Sequence, residues 1–165
     1  MATDTDRIEK HTLLRAPIER VWRAVSEAEQ FGRWFGMHLD GPFVAGERVT
    51  GHIVPTTVDP GVAEKQKAFE GAPVELWVER IEPMRLFSFR WHPYAADPNV
   101  DVASEPTTLV EFRLEEAKGA THLTIVESGF DAIPLERREA AFRANEGGWT
   151  LQLTLIEKYV TDASR

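Results

Sequence analysis

The residue with the most chemical potential sits near the end of a strand-like run, "THLTIVESGF". Alternation there puts Leu123, Ile125 and Glu127 on one face, so a carboxylate follows two apolar side chains toward an interior. An apolar setting disfavours the charged form of a carboxylate, which suits it to serve as an acid, a base or a polar anchor. Two plainer readings compete: the strand end has reached solvent, or an arginine such as Arg90 pairs with Glu127. Upstream, "MRLFSFRWHPY" places Phe87, Phe89 and Trp91 on one side of a strand and Ser88, Arg90 and His92 on the other. The aromatic set is either the wall of a pocket or ordinary core. Trp149 follows Gly147-Gly148 inside a long helical run, where each glycine costs about 0.5–1 kcal/mol relative to alanine. Either a kink that opens space or a close backbone approach would account for that pair.

Three further aromatics are candidates by position. Trp34 and Phe35 follow the first helical segments, near the expected mouth of a cavity, where Trp34 adds an N–H donor to its apolar area. Phe69 is an apolar residue in a charged loop and reads as a lid anchor or a surface-tucked side chain. Trp22 reads as core. Other chemistry is poorly represented. His11, His38, His52, His92 and His122 are scattered without metal-ligand spacing, so no metal is expected. Glu127-Ser128-Gly129 is not a nucleophile elbow, and the Gly147-Gly148 pair lies within a helix rather than in a phosphate-binding loop.

The elements that must hold these residues are legible from periodicity. "RIEKHTLL" alternates as a first strand. "PIERVWRAVSEAEQF" is a short amphipathic helix with Ile18, Val21, Trp22 and Val25 on one face, interrupted by Gly32 before a second short helix or turn. Strands follow in "MHLDGPFV" and "ERVTGHIVP". Residues 55–73, with three prolines and two glycines, read as a long loop of the kind that often forms a lid. "PVELWVERIEP" and "MRLFSFRWHPY" form a hairpin through Glu82-Pro83. An acidic loop, "AADPNVDVASEP", leads to "TTLVEFRLEEA" and, through Gly119, to the last strand. In "LERREAAFRANEGGWTLQLTLIEKYV", Phe142, Trp149, Leu153, Ile156 and Val160 form one helical row and Leu151, Leu155 and Tyr159 a second. So wide an apolar sector predicts a helix that is enveloped. Short connections favour antiparallel pairing, because parallel strands need crossovers of a dozen or more residues. The expected class is α+β.

Composition bounds the function. A chain of 165 residues is most simply one domain, 1–165, and its net charge of −8 argues against a nucleic-acid partner. Cysteine is absent, the N-terminus lacks a signal-peptide core, and no run approaches the ~20 apolar residues of a membrane span. A cytoplasmic location without a membrane partner is the expectation.

Several short patterns in order carry a resemblance over roughly the full length. "LLRAPIERVWRAVSEAEQFGRWFG", "VERIEPMRLFSFRW", "THLTIVESGF" and "NEGGWTLQLTLIEKYV" are similar to homologues of the C-terminal domain of the activator of the heat-shock-protein-90 ATPase. These belong to the START-like, or SRPBCC, superfamily. The resemblance implies a helix-grip fold: a bent seven-stranded antiparallel sheet around the C-terminal helix, two short helices after strand 1, and a pocket between sheet and helix. The family includes hydrophobic-ligand proteins, cyclases, hydrolases and chaperone cofactors, so fold does not settle function. The chain has no room for the additional N-terminal domain of full-length chaperone activators, and a chaperone partner ranks below a small molecule.

The leading expectation is therefore a binding protein for a small apolar or aromatic molecule, with no cofactor. Its wall would be Phe87, Phe89, Trp91, Trp149 and Leu153, with Phe35 near the mouth, Glu127 and Trp34 as polar handles, and residues 55–73 with Phe69 as the lid. An enzyme using Glu127 as general acid/base, or an interaction module, are the alternatives. The first strand or a sheet edge offers a place for a homodimer contact.

Overall fold

The computed structural model describes residues 6–93 and 106–162; the acidic loop "AADPNVDVASEP" lies outside the described residues but for its last proline. The chain runs β1 (Arg7–Leu14), α1 (Ile18–Ser26), α2 (Ala28–Phe35), β2 (Met37–Leu39), β3 (Arg48–Ile53), α3 (Pro60–Gln66), β4 (Pro73–Glu82), β5 (Leu86–Trp91), β6 (Thr108–Ala117), β7 (Ala120–Ser128) and α4 (Leu135–Thr161). Single 3-10 turns occupy Lys67–Phe69 and Phe130–Ala132. All strands join one antiparallel sheet in the order β1-β7-β6-β5-β4-β3-β2, which leaves β1 and β2 as its edges. This is the expected α+β, helix-grip arrangement of seven strands with a long C-terminal helix.

Alternation does what the sequence promised. Phe87 and Phe89 on β5, Val110 and Phe112 on β6, and Leu123 and Ile125 on β7 are all buried on the face that receives the helices. A register shift between Val78 and Arg80 interrupts the β4–β5 ladder and increases local twist.

Two boundaries differ from the expectation. The α1–α2 break falls at Glu27, which is extended (φ −97, ψ 118), and α2 runs through Gly32. Gly32 is there for close approach, not interruption: a Cβ on it would lie 2.2 Å from the Met37 carbonyl oxygen. Residues 55–73 are not a plain loop. Asp59 caps α3 by accepting hydrogen bonds from the N–H groups of Gly61 and Val62, with Pro60 opening the helix.

α4 is continuous across Gly147-Gly148, and a Cβ on either glycine would meet nothing within 4 Å. A close backbone approach therefore does not explain the pair. Ala141, Trp149, Leu155, Ile156, Tyr159 and Val160 are buried, whereas Leu151 is 36% exposed, so the apolar sector is narrower than the two rows suggested. The helix lies along the sheet with one side open to solvent. Its C-terminus is tied to α1: Arg20 donates from Nε to the Val160 carbonyl (2.8 Å) and from Nη2 to that of Tyr159 (3.0 Å). A cation there satisfies orphan carbonyls and complements the helix dipole. No described helix is long and apolar enough to cross a membrane.

Candidate functional site

Where β5, β7 and α4 meet, Glu127 is fully buried (0% exposed) and receives hydrogen bonds from four side chains. Trp91 Nε1–H (2.7 Å) and the Thr108 hydroxyl (2.6 Å) donate to Oε2, and Trp149 Nε1–H donates to Oε1 (2.7 Å). Asn145 Nδ2 donates to Oε1 (2.8 Å) and Oε2 (3.1 Å). An indole N–H can only donate and a carboxylate can only accept, so the set is matched in chemistry as well as distance. Neither plain reading of Glu127 holds: the strand end is not at solvent, and Arg90 pairs instead with Glu79 (2.7 Å).

This arrangement fixes two large rings. Trp91 and Trp149 stand 5.7 Å apart at 31°, and Phe35 meets Trp91 at 6.0 Å and Trp149 at 5.9 Å, both near-perpendicular. Such edge-to-face pairs are favoured by the ring quadrupole. Phe35, Trp91, Asn145, Gly148, Trp149 and Gln152 line a recess of about 180 Å³ beside them. On α4 the lining residues fall at 145, 148, 149 and 152, one stripe of the helix. The open position of the Gly148 Cβ belongs to that recess. Gln152 Nε2 donates to the Phe35 carbonyl (3.1 Å), and Gln66 Nε2 donates to the same oxygen (3.2 Å).

Of the nine sequence candidates, the structure brings Phe35, Trp91 and Trp149 to the recess and Glu127 directly behind it. Phe87 and Phe89 lie in the core, packed against Phe31 and Phe112. Trp34 is fully buried and its N–H donates to the Ala24 carbonyl (2.8 Å), so it is not a free handle at a mouth. Leu153 packs against the core without lining the recess. Phe69 is 52% exposed on its 3-10 turn. Sequence reasoning missed Thr108, Asn145 and Gln152. The signal for the last two was present: they lie four residues before and three after Trp149.

A larger groove of about 730 Å³ lies over β2 and α2 and shares no residue with the recess. Its charged lining is partly self-paired, Arg33 with Glu29 (2.5 Å) and His38 near Asp40 (3.9 Å). Among the described residues no cluster of His, Asp or Glu is arranged to hold a metal.

The segment carrying α3 is fastened beside the site. Gln66 reaches the Phe35 carbonyl, and Lys158 of α4 pairs with Asp59 (2.5 Å). The Lys158 hydrogen bond, then the Val62 N–H, hold the Asp59 carboxyl below its ordinary value of 3.8, against a smaller opposing effect of burial. A depressed carboxyl stabilises the fold above its unfolded value and loses that contribution as pH falls through the folded one. Asp59→Asn keeps the helix cap and removes the charge. Its deficit in urea midpoint relative to wild type is expected to be present at pH 6 and to shrink at pH 3; a deficit independent of pH would show that the Lys158 pair contributes nothing.

The fold has many solved counterparts. A protein from Arthrobacter aurescens solved by NMR aligns with a TM-score of 0.73 at 16% identity, covering 99% of this chain and 92% of that one. MLL2253 from Mesorhizobium loti gives 0.69 at 20%, covering 95% and 98%. DynU16, from the dynemicin biosynthetic locus, gives 0.67 at 21% over 95% of this chain, which spans about half (48%) of DynU16. At these identities the likeness is one of fold. No curated protein matches the chain. The family model described as Activator of Hsp90 ATPase homolog 1-like protein matches residues 15–161, nearly the whole chain, and the chain belongs to that family.

Proposed function

We propose that the protein is a cytoplasmic binding protein that holds a small, largely apolar aromatic molecule in the recess between β5 and α4. The observation that carries this reading is the meeting of three ring surfaces, Phe35, Trp91 and Trp149, around about 180 Å³ of space. The recess is open on one side, and its volume is of the order of the roughly 150 Å³ that holds benzene in an enclosed apolar cavity, which matches a single ring in size. Tethering both indoles to Glu127 keeps the site pre-formed, which reduces the ordering cost of binding. The acid–base reading gains no support from this geometry, because Glu127 does not line the recess and its oxygens are engaged.

The paired glycines supply the test. Leucine at position 148 would project into the recess, whereas position 147 is exposed and outside its lining. With toluene as the probe, monitored by tryptophan fluorescence and native mass spectrometry, Gly148→Leu is expected to weaken binding at least roughly tenfold, through steric exclusion. Gly147→Ala is expected to leave binding unchanged and stabilise α4 by about 0.5–1 kcal/mol. Toluene binding that survives Gly148→Leu would place the ligand elsewhere.

A further inference from the structure

The four groups that satisfy Glu127 are two indoles, a hydroxyl and an amide, and none of them carries a charge. Neutral donors solvate a carboxylate without cancelling its charge, and a buried charge is ordinarily paired. Glu127 is fully buried and forms no ion pair with any described residue. Residues 94–105, which connect the strands of Trp91 and Thr108, contain no lysine, arginine or histidine. The recess itself is lined by Phe35, Trp91, Asn145, Gly148, Trp149 and Gln152, again without a cation. Trp91 and Trp149 both line that space and both donate to Glu127 at 2.7 Å, so the carboxylate stands one indole away from it. At such a range, away from bulk water, an uncancelled charge acts strongly. Trp91, Asn145, Gly148 and Gln152 are only partly buried, so the lining is reached from solvent.

The Glu127 oxygens are already engaged, and their pull on a ligand is therefore one of charge rather than of a new hydrogen bond. A cation sheathed in methyl groups needs no acceptor, and aromatic side chains receive it well. From this we infer that the recess selects single-ring molecules bearing a quaternary ammonium group, with Glu127 as their counter-charge. The inference rests on the binding reading given above and names the charge of the ligand within it.

Phenyltrimethylammonium and tert-butylbenzene have the same shape and differ in charge, and toluene serves as the reference for the binding reading. Titrations of the wild-type protein followed by tryptophan fluorescence are expected to show the cation binding about tenfold more tightly than tert-butylbenzene. Gly148→Leu is expected to weaken the cation at least roughly tenfold, which separates the recess from the acidic surface at large. Glu127→Gln removes the charge at nearly constant volume and is expected to bring the two isosteres within about twofold of each other. A loosened site would weaken both isosteres together and leave their ratio in place, so the ratio reads charge alone. A neutral isostere that binds as tightly as the cation overturns the inference and leaves the binding reading standing, as does toluene binding without any binding of the cation. Cation binding that survives Gly148→Leu, or a preference that persists in Glu127→Gln, overturns the inference as well. Failure of all three probes to bind overturns both the inference and the reading beneath it.

Discussion

Glu127→Ala is expected to cost the fold about 3–5 kcal/mol, because several donors lose their shared acceptor at once. The reason is what remains behind. Two indole N–H groups, a hydroxyl and an amide, those of Thr108 and Trp149 buried and those of Trp91 and Asn145 partly so, would lose the oxygen atoms they converge on. Each buried donor left unmatched costs about 1–3 kcal/mol, and the total is less than the sum because the cavity can admit water. Glu127→Gln is the finer probe. It preserves volume but puts an NH2 group where at least one donor already points, so a loss of about 2 kcal/mol is expected, between wild type and alanine. Urea unfolding followed by tryptophan fluorescence and circular dichroism measures both. A loss below about 1 kcal/mol for the alanine variant would mean that the carboxylate does not organise the rings.

Phe31→Ala is expected to destabilise the protein by a similar amount, about 3–5 kcal/mol, for a different physical reason. Phe31 is fully buried on α2, and its ring lies 4.9–6.4 Å from those of Phe35, Phe87 and four other aromatics. No single neighbour can relax into the space without losing its own ring contacts, so most of the cavity stays open and its cost is retained. Phe69→Ala is the control of equal chemistry. With 52% of its surface exposed, Phe69 is expected to change stability by no more than about 0.5 kcal/mol. Thermal unfolding of the pair distinguishes a packed aromatic centre on α2 from a general sensitivity to losing a ring. Comparable shifts for both variants would contradict it.

Much of the scaffold was readable because its signals are local. The alternation of Phe87, Phe89 and Trp91 and of Leu123, Ile125 and Glu127 fixes which way those side chains face, since a strand has only two sides. The turn at Gly119 (φ 83) and the short link between β4 and β5 fixed those two antiparallel hairpins, whereas the pairings across the longer connections had no local signal. α3 was harder. Its Asp59-Pro60 start was written in the sequence, but a helix of seven residues is marginal alone. Gln66 and Lys158, which bind it to α2 and α4, supply contacts that no local pattern announces. Gly32 shows the same limit from the other side: a residue read as a helix breaker is a helix member that a neighbouring strand presses against.

The order and type of the strands, the apolar stripe of α4 and the inward carboxylate on β7 follow from period and propensity, which the chain carries within a few neighbouring residues. How Glu127 is satisfied does not. Its donors lie 36, 19, 18 and 22 residues away: strand pairing places those on β5 and β6, and the docking of α4 on the sheet brings the other two within 3.1 Å. The same packing directs the N–H groups of two tryptophans at Glu127 rather than into the recess. Hydrogen-bond direction depends on the relative pose of elements, and that pose is set by packing across the whole core rather than by any segment of sequence.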